Sequence, residues 1–346
     1  MRHMTNDLIV ERFDTSVATE SDFAAYHAVL AASQAVDRPG EPPLPLGELV
    51  ARMRRPLPGM GEVAYWVARF DDEVVAFAEV NFLDEENSDI GLTDVRVHPA
   101  HRRRGIGVVI LRALLPELKL QGRGVVEGWE VAEGTAGQAW AEALGFRPVR
   151  TIARQVLVVA EADRALWEVD VPDGYRLSQW VGSAPAGVVD SYAVARGAIH
   201  DAPLGESEYR WPEWTASRVR AYEAELQSQG LVQRVVAAIH ETSGAVAGFT
   251  ELCVHPRRPD WGYQRDTAVL ASHRGNDLGR CLKAHMTRWV LADCPELDRI
   301  STTTGAENVH MIRVNRAVGY TTLPSLIAVQ QELSSVEAML GRRVEV

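Results

Sequence analysis

Short apolar runs and helical spacings alternate along this chain. "VAYWVARF" (63–70), "EVVAFAEVNF" (73–82) and "IGLTDVRVH" (90–98) read as strands, the last with Val95 and Val97 alternating against Asp94, Arg96 and His98. "SDFAAYHAVLAASQ" and "LGELVARMRRP" read as helices ahead of them. Behind them a helix is expected to begin near Ile106, with Val108, Leu111, Leu115 and Leu118 on its inner face. Strand "GVVEGWEV", helix "GTAGQAWAEAL" and strand "RPVRTIARQVLVV" follow. Hairpins mixed with strand-to-helix crossovers predict an α+β fold of the α/β-sandwich type, a mixed central sheet flanked by helices.

The pattern then repeats. "VVAFAEVNF" (74–82) matches "AVAGFTELCV" (245–254), and "TDVRVHPAHRRRGIG" matches "RDTAVLASHRGNDLG". Glu79 meets Glu251, Asp94 meets Asp266, His101 meets His273 and Gly107 meets Gly279, each at an offset of 172 residues. Further on, Gly145 meets Gly319 at an offset of 174. Specific landmarks at one nearly fixed offset identify two copies of one domain. Pro172, Asp173 and Gly174 give a turn signal between them. The expected organisation is a domain over 1–162, a linker over 163–174 and a second domain over 175–346. In the second copy Leu278, Leu282, Met286 and Trp289 share a helix face. Residues 197–226 read as early helices, and "VHPRRPDWGYQRD" (254–266) as a hairpin loop.

The chemistry concentrates in one turn of each copy. Pro99 cannot extend a central strand, and a helix begins just beyond, at Gly105–Gly107. A helix start offers free backbone N–H groups and a positive dipole end. Glycines let a ligand approach that backbone, and Arg102, Arg103 and Arg104 add fixed charge and forked donors. Together these are the parts of a phosphate cradle. No GK[ST] follows, so it is not a Walker A loop. A solvated basic turn is the plainer alternative. The strand–Pro–RxxGxG–helix order, carried by Arg102, Gly105 and Gly107, is the more specific signal.

That order resembles motif A of the GNAT superfamily of N-acetyltransferases, and the resemblance covers nearly the whole chain as two tandem domains. The tandem plan is similar to that of the mycothiol synthase family and of several actinobacterial antibiotic-modifying enzymes. The resemblance implies that the turn binds the pyrophosphate of acetyl-CoA and that the preceding strand, Val95, Arg96 and Val97, pairs with the pantetheine arm. It implies cofactor contacts at Arg102, Arg103, Arg104, Gly105, Ile106, Gly107 and Val108. In the second copy the matching residues are Val269, Arg274, Gly275 and Gly279, with Asp277 where a glycine is expected. The family often has an Asn at the start of its last helix, matched by Asn308, and a thiolate-protonating Tyr seven residues later. Here those positions are Asn308 and Asn315 in copy two, Gly134 and Ala141 in copy one. Neither copy has the full set.

Acyl transfer to an amine needs a base to remove the ammonium proton, and a carboxylate is the usual one. Glu79 and Asp94, with Glu251 and Asp266, are the candidate catalytic residues. Strand alternation puts Glu79 beside Phe77 and Glu251 beside Phe249. Each acid could instead be half of a structural ion pair. His200, Asp201, Tyr209, Trp211 and Trp214 are candidate lining of an acceptor pocket, or the aromatic core of a helix pair.

The formal charge of −11 argues against general nucleic-acid binding and suits an amine substrate, though solubility alone explains it as well. Cys253, Cys281 and Cys294 show no CxxC spacing, which points to a reducing cytoplasm. No apolar run is long enough to span a membrane, "MRHMTNDLIV" lacks a signal-peptide core, and no metal site is expected. The function expected is acetyl transfer from acetyl-CoA to the primary amine of a small molecule. A protein N-acetyltransferase and a non-catalytic acyl-CoA sensor are the alternatives, and a homodimer is an open expectation.

Overall fold

The computed structural model describes residues 8–56 and 58–342. The first seven residues, part of the segment read above as lacking a signal peptide, lie outside the described residues. The chain divides into two compact units. One comprises the chain through Arg150, Ser207–Tyr209, and Leu326 onward; the other comprises Thr151–Glu206 and Arg210–Ser325.

The first unit runs β1 (Leu8–Arg12), α1 (Glu20–Asp37), α2 (Leu46–Arg54), β2 (Glu62–Phe70), β3 (Glu73–Phe82), β4 (Ile90–Val97), α3 (Ile106–Leu120), β5 (Val125–Ala132) and α4 (Ala136–Ala143). β6 (Arg147–Val158) leads into the second unit, which holds β7 (Tyr175–Val181), α5 (Val189–Gly197), α6 (Ala216–Ser228), β8 (Val232–His240), β9 (Val246–His255), β10 (Arg258–Val269), α7 (Leu278–Asp293), β11 (Arg299–Gly305) and α8 (Val309–Ala317). β12 (Thr321–Glu332) and α9 (Leu333–Arg342) complete the chain. β1 had no counterpart in the sequence reading.

In the first unit β1 to β4 pair antiparallel, and β4 pairs parallel with β5 over Ile90–Leu92. A parallel pair needs a crossover, and α3 supplies it. Its inner face is Ile106, Ile110, Leu111, Leu114 and Leu118, with Val108 and Leu115 only partly covered, so the apolar stripe is displaced from the one expected. α1 and α2 cover the opposite face of the sheet, around Phe23, Tyr26, Leu49, Tyr65 and Phe77. α1 starts at a capping box in which Thr19 and Asp22 exchange hydrogen bonds.

The second unit repeats this design, with β10 pairing parallel to β11 over Trp261–Tyr263. Equivalent main-chain bonds recur, His98 N to Val75 O at 2.8 Å and Leu270 N to Ala247 O at 2.9 Å. Two sequence expectations are corrected here. Most of 254–266 is not a loop but the start of β10, and 202–215 is irregular rather than helical. A β-hairpin with no Gly at its tip and a Pro-rich aromatic segment gave the wrong local signals.

The closing strands are exchanged between the repeats. β12 comes from the second copy, yet its Leu326–Glu332 portion pairs with β5 of the first unit. β6 comes from the first copy, yet Ile152–Val158 pair with β11 of the second. α9 follows β12 and buries Leu333, Val336 and Leu340 in the first core. The expected linker is not bare chain either. Its Trp167 is buried in the second core, and the indole donates to Val318 O at 3.0 Å.

Lys283 and Tyr320 mark a difference between the cores. They stand at the positions of Leu111 and Phe146, both of which are buried among apolar side chains. Lys283 is 1% exposed, and burial pushes its ammonium pKa down to about 7.

Two outcomes are expected. Ile327→Ala, a cavity in the second copy's last strand, should cost about 2–4 kcal/mol. Hydrogen exchange should then show lost protection in β5 of the first unit, and loss confined to β11 would contradict the exchange. Lys283→Leu should stabilise the protein by roughly 2 kcal/mol near pH 7. A depressed lysine pKa gives stability that is whole above the unfolded value of 10.5 and lost as pH falls toward about 7. The gain of the variant, followed by thermal unfolding, should therefore shrink as pH rises through that window.

Candidate functional site

Strand register sets the first unit's chemistry. Tyr65 on β2 faces Glu79 on β3, and Glu79 faces Asp94 on β4. These three side chains share the sheet face covered by α1 and α2. Tyr26 of α1 stacks on Phe77 at 4.0 Å between ring centroids. Glu79 is half-buried beside these rings. Burial pushes its carboxyl up to about 7, with Asp94 and Glu130 adding and Arg96 and an Asn81 hydrogen bond opposing. Arg96 is held by Asp94, Nε to Oδ2 at 2.8 Å, so Asp94 is half of an ion pair. Tyr26, Tyr65 and Glu130 were not among the sequence candidates. They lie on other elements, and only the fold brings them to Glu79.

Beyond Leu92 the parallel pairing with β5 stops among the described residues, while β4 continues to Val97 paired with β3. The strands part, and Val95, Arg96 and Val97 lie on the freed edge. β5 diverges through a bulge between Gly128 and Val131, where Glu130 takes a φ of 61°. Arg38 donates to Glu130 at 3.2 Å.

The turn after β4 adopts a specific backbone. Arg103 has φ 65° and Gly105 has φ 78°, and Gly105 is the N-cap of α3. Among the described residues the backbone N–H groups of 103–107 have no acceptor. Five successive orphan donors at the N-terminus of a fifteen-residue helix fit an anion such as a pyrophosphate. Arg103 and Arg104 are exposed beside them. Arg102 is not. Its guanidinium binds both Asp37 oxygens, at 2.8 and 2.6 Å, and Nε donates to Val97 O at 3.2 Å. Arg102 thus ties the turn to α1 and β4. Gly107 lies under Trp140, whose ring would be 3.2 Å from a Cβ there, while Ile106 is in the core and Val108 partly covered.

The second unit keeps this backbone with exchanged side chains. Gly275 has φ 83° and Asp277 φ 55°, so the two left-handed positions are retained and the glycine has moved from the second to the first. Asp277 caps α7 and faces Arg280 at 3.7 Å. Arg274 Nε donates to Val269 O at 3.1 Å and the guanidinium pairs with Asp201, matching Arg102 and Asp37. Gly279 is near Val314 rather than a Trp.

Its carboxylates are placed differently. Glu251 is fully buried and ion-paired with Arg196, and it accepts from Tyr192 Oη at 2.5 Å. Arg196 also reaches Asp266 at 3.7 Å and lies 3.6 Å from the Trp214 ring. Tyr192 meets Phe249 edge-to-face at 5.2 Å, where Tyr26 stacks on Phe77. One helical turn on, the second unit has Arg196 where the first has Leu30. Glu251 thus realises the ion-pair alternative. The signal was present, Tyr192 and Arg196 being 166 residues from Tyr26 and Leu30, but a shift in offset hid it.

The last helices lack a proton donor at the position of the family Tyr. Asn308 caps α8 by accepting from Met311 N at 3.1 Å. Asn315 is buried and donates to Gln155 Oε1 at 2.8 Å, while Ala141 is in the first core. The five aromatic and polar candidates are divided between the two units. Tyr209 belongs to the first unit, whereas His200, Asp201, Trp211 and Trp214 belong to the second. There His200 bonds to Pro212 O and Trp211 to Ala202 O. Two cavities of about 340 and 380 Å³ lie elsewhere in the second unit, and neither is lined by any of these residues.

Comparisons with known proteins agree with this geometry. The model of the acetyltransferase (GNAT) family matches residues 39–146 and 199–320. A mycothiol acetyltransferase of Pseudarthrobacter chlorophenolicus is 25% identical over 240 residues, covering 68% of this chain and 69% of that protein. A mycothiol acetyltransferase of Mycobacterium leprae is 26% identical over 250 residues, covering 70% and 75%. Among solved structures, a tandem GNAT protein from the clavulanic acid biosynthesis pathway superposes with a TM-score of 0.76 at 24% identity, over 94% of this chain and 99% of that one. A GCN5-related N-acetyltransferase from Sphaerobacter thermophilus gives 0.70 at 17% identity, over 94% and 96%. With both copies matched by the family model and the parted strands and orphan-donor turn present in each, this chain belongs to the GNAT family of acetyltransferases as a tandem-domain N-acetyltransferase.

Proposed function

We propose that the chain transfers an acetyl group from acetyl-CoA to the primary amine of a small molecule, and that the first unit carries out the chemistry. The observation that carries this reading is the contrast between Glu79 and Glu251. Glu79 is half-buried with a pKa raised to about 7, where a base can both accept a proton and release it near neutral pH. Glu251 is fully buried, its Oε1 is taken by both Arg196 and Tyr192, and the Arg196 guanidinium beside it stabilises the charged form, so its carboxylate is committed to an ion pair although Oε2 meets no partner.

Bound acetyl-CoA would supply the activated thioester carbonyl. Its pyrophosphate fits the orphan N–H groups of 103–107, with Arg103 and Arg104 adding charge at the rim. The free edge of Val95–Val97 offers backbone groups to the pantetheine amides. Glu79 takes the proton of the incoming ammonium, leaving the neutral amine to attack the thioester carbonyl; the new N–C bond would replace the C–S bond, and CoA would leave as a thiolate that takes up the nitrogen's surplus proton. Asp94 and Arg96 neutralise one another beside it and keep the carboxylate's field local. The relatives named as mycothiol acetyltransferases support a small-molecule acceptor for this chain.

Two experiments test the reading. Wild-type kcat/KM for an amine acceptor should rise with pH and level off above about 7, because Glu79 is active only when deprotonated. Glu79→Gln should lower turnover at least tenfold and remove that limb, with acetyl-CoA affinity retained. An unchanged profile would count against Glu79. Gly105→Glu puts a side chain at φ 78° and a negative charge among the donors. It should abolish turnover even if calorimetry still finds acetyl-CoA bound at the second unit's turn, and surviving turnover would place the chemistry in the second unit.

A further inference from the structure

Glu127 lies on β5 opposite Leu92, at the last parallel pair before β4 and β5 part. Leu92 pairs with Asn81, two register rows from the pair formed by Glu79 and Asp94. Alternation therefore puts Glu127 on the same sheet face as Glu79. Two strand spacings and two residues separate their Cα atoms, roughly 12 Å. Glu127 is 0% exposed. One carboxylate oxygen, Oε1, accepts from the Trp129 indole at 3.0 Å and from the Ser207 hydroxyl at 2.8 Å. The other, Oε2, is buried with no partner. An ionised carboxylate has acceptor sites on both oxygens, and leaving one buried and unmet is costly.

The surroundings indicate what would meet it. Trp129 and Tyr209 form an edge-to-face pair with centroids 5.4 Å apart. Tyr209 arrives on the short strap Ser207–Tyr209, which is latched to the first unit. Glu208 N donates to Gln330 Oε1 at 3.0 Å, Gln330 returns a bond to Glu208 Oε1 at 2.6 Å, and Tyr209 N donates to Ser207 Oγ at 3.1 Å. Burial pushes the Glu127 carboxyl up, the Ser207 and Trp129 hydrogen bonds and Arg150 oppose that shift, and Glu208 adds to it. An unmet carboxylate oxygen beside two aromatic rings is an acceptor set suited to an ammonium group, which donates to the oxygen and packs against the ring faces.

The geometry points to Glu127 as an acceptor-recognition residue that holds a second cationic group of the substrate, under the Ser207–Tyr209 strap, while the reacting amine meets Glu79. The acceptor class is then a molecule with two cationic nitrogens, one acetylated and one anchored. The strap must lift for the cation to enter and close over it again, the cation meeting Oε2 while Ser207 and Trp129 keep their bonds to Oε1. The site is separate from the turn and from the base. It rests on the first unit being the acetylating one.

The test uses a length series of α,ω-diaminoalkanes against their monoamine counterparts, with the full chain. Wild type should prefer diamines in kcat/KM, with an optimum of length. Glu127→Gln, which keeps the side chain's shape, should reduce that preference at least tenfold, chiefly through KM, and Glu127→Asp should retain part of it. Tyr209→Ala should weaken the preference as well and serves if the Gln variant does not fold. Equal preference in wild type and Glu127→Gln overturns the proposal. Calorimetry with the diamines alone separates the two readings. Glu127-dependent binding without turnover of any amine supports the anchor and sinks the base at Glu79. Turnover of amines with no diamine preference does the reverse, and no diamine binding at millimolar concentration sinks the anchor.

Discussion

The parting of β4 from β5 is the constraint on which the site depends. The two strands share three parallel pairs, Ile90–Leu92 with Val125–Glu127, and then diverge. Thr93 keeps a last link, its hydroxyl donating to Glu127 O at 3.3 Å. Past that point β5 bulges at Glu130 while staying paired with β12 on its other side. A free strand edge has unpaired backbone donors and acceptors, which is normally a liability in a sheet. Here it lies beside the start of α3, because a parallel pair can be joined only by a crossover that returns to the other end of the sheet. The open edge and the helix N-terminus are therefore two results of one topology. The same topology aligns Tyr65, Glu79 and Asp94 on one face and puts Glu127 on that face two register rows away.

The two copies form an internal comparison. Backbone features survive in both: the three-pair parallel contact, the left-handed turn positions and the Arg side chain that bonds back to the strand. What differs is charge at a few interior sites. Leu30 leaves Glu79 beside aromatic rings and half-open, whereas Arg196 neutralises Glu251 and ties it to Tyr192. Removing one partner of such a buried pair leaves an uncompensated charge, so the second unit is locked into its ion pair. Lys283 in place of Leu111 is a further polar intrusion into the second core.

The exchanged closing strands join the copies more deeply than a linker does. Each unit takes its last strand from the other repeat, so β5 depends on β12 and β11 depends on β6. Gln155 of β6 fixes Asn315 of α8, and Gln331 of β12 bonds to Gly145 O after α4. Neither sequence copy contains all the strands of a complete unit.

The sequence by itself determined the fold class, the repeat, most of the helices and strands of each copy and the glycine-bearing turn. These rest on local rules: strand alternation, helical spacing and backbone freedom at Gly105. It also named Glu79 and Glu251 as equals, since both sit at one repeat position beside a Phe. Only tertiary structure separated them, because the deciding residue, Arg196, lies 55 residues from Glu251 on another element. Strand exchange was equally hidden. The alternation of "RTIARQVLVV" specifies a strand and a buried face but not which edge it joins, since either copy offers a β-strand of the same pattern. Glu127 reads locally as an ordinary strand residue, and its unmet oxygen exists only because Ser207, Trp129 and Tyr209 close over it. Short-range patterns set what each segment is, while long-range packing sets which charges are left without a partner.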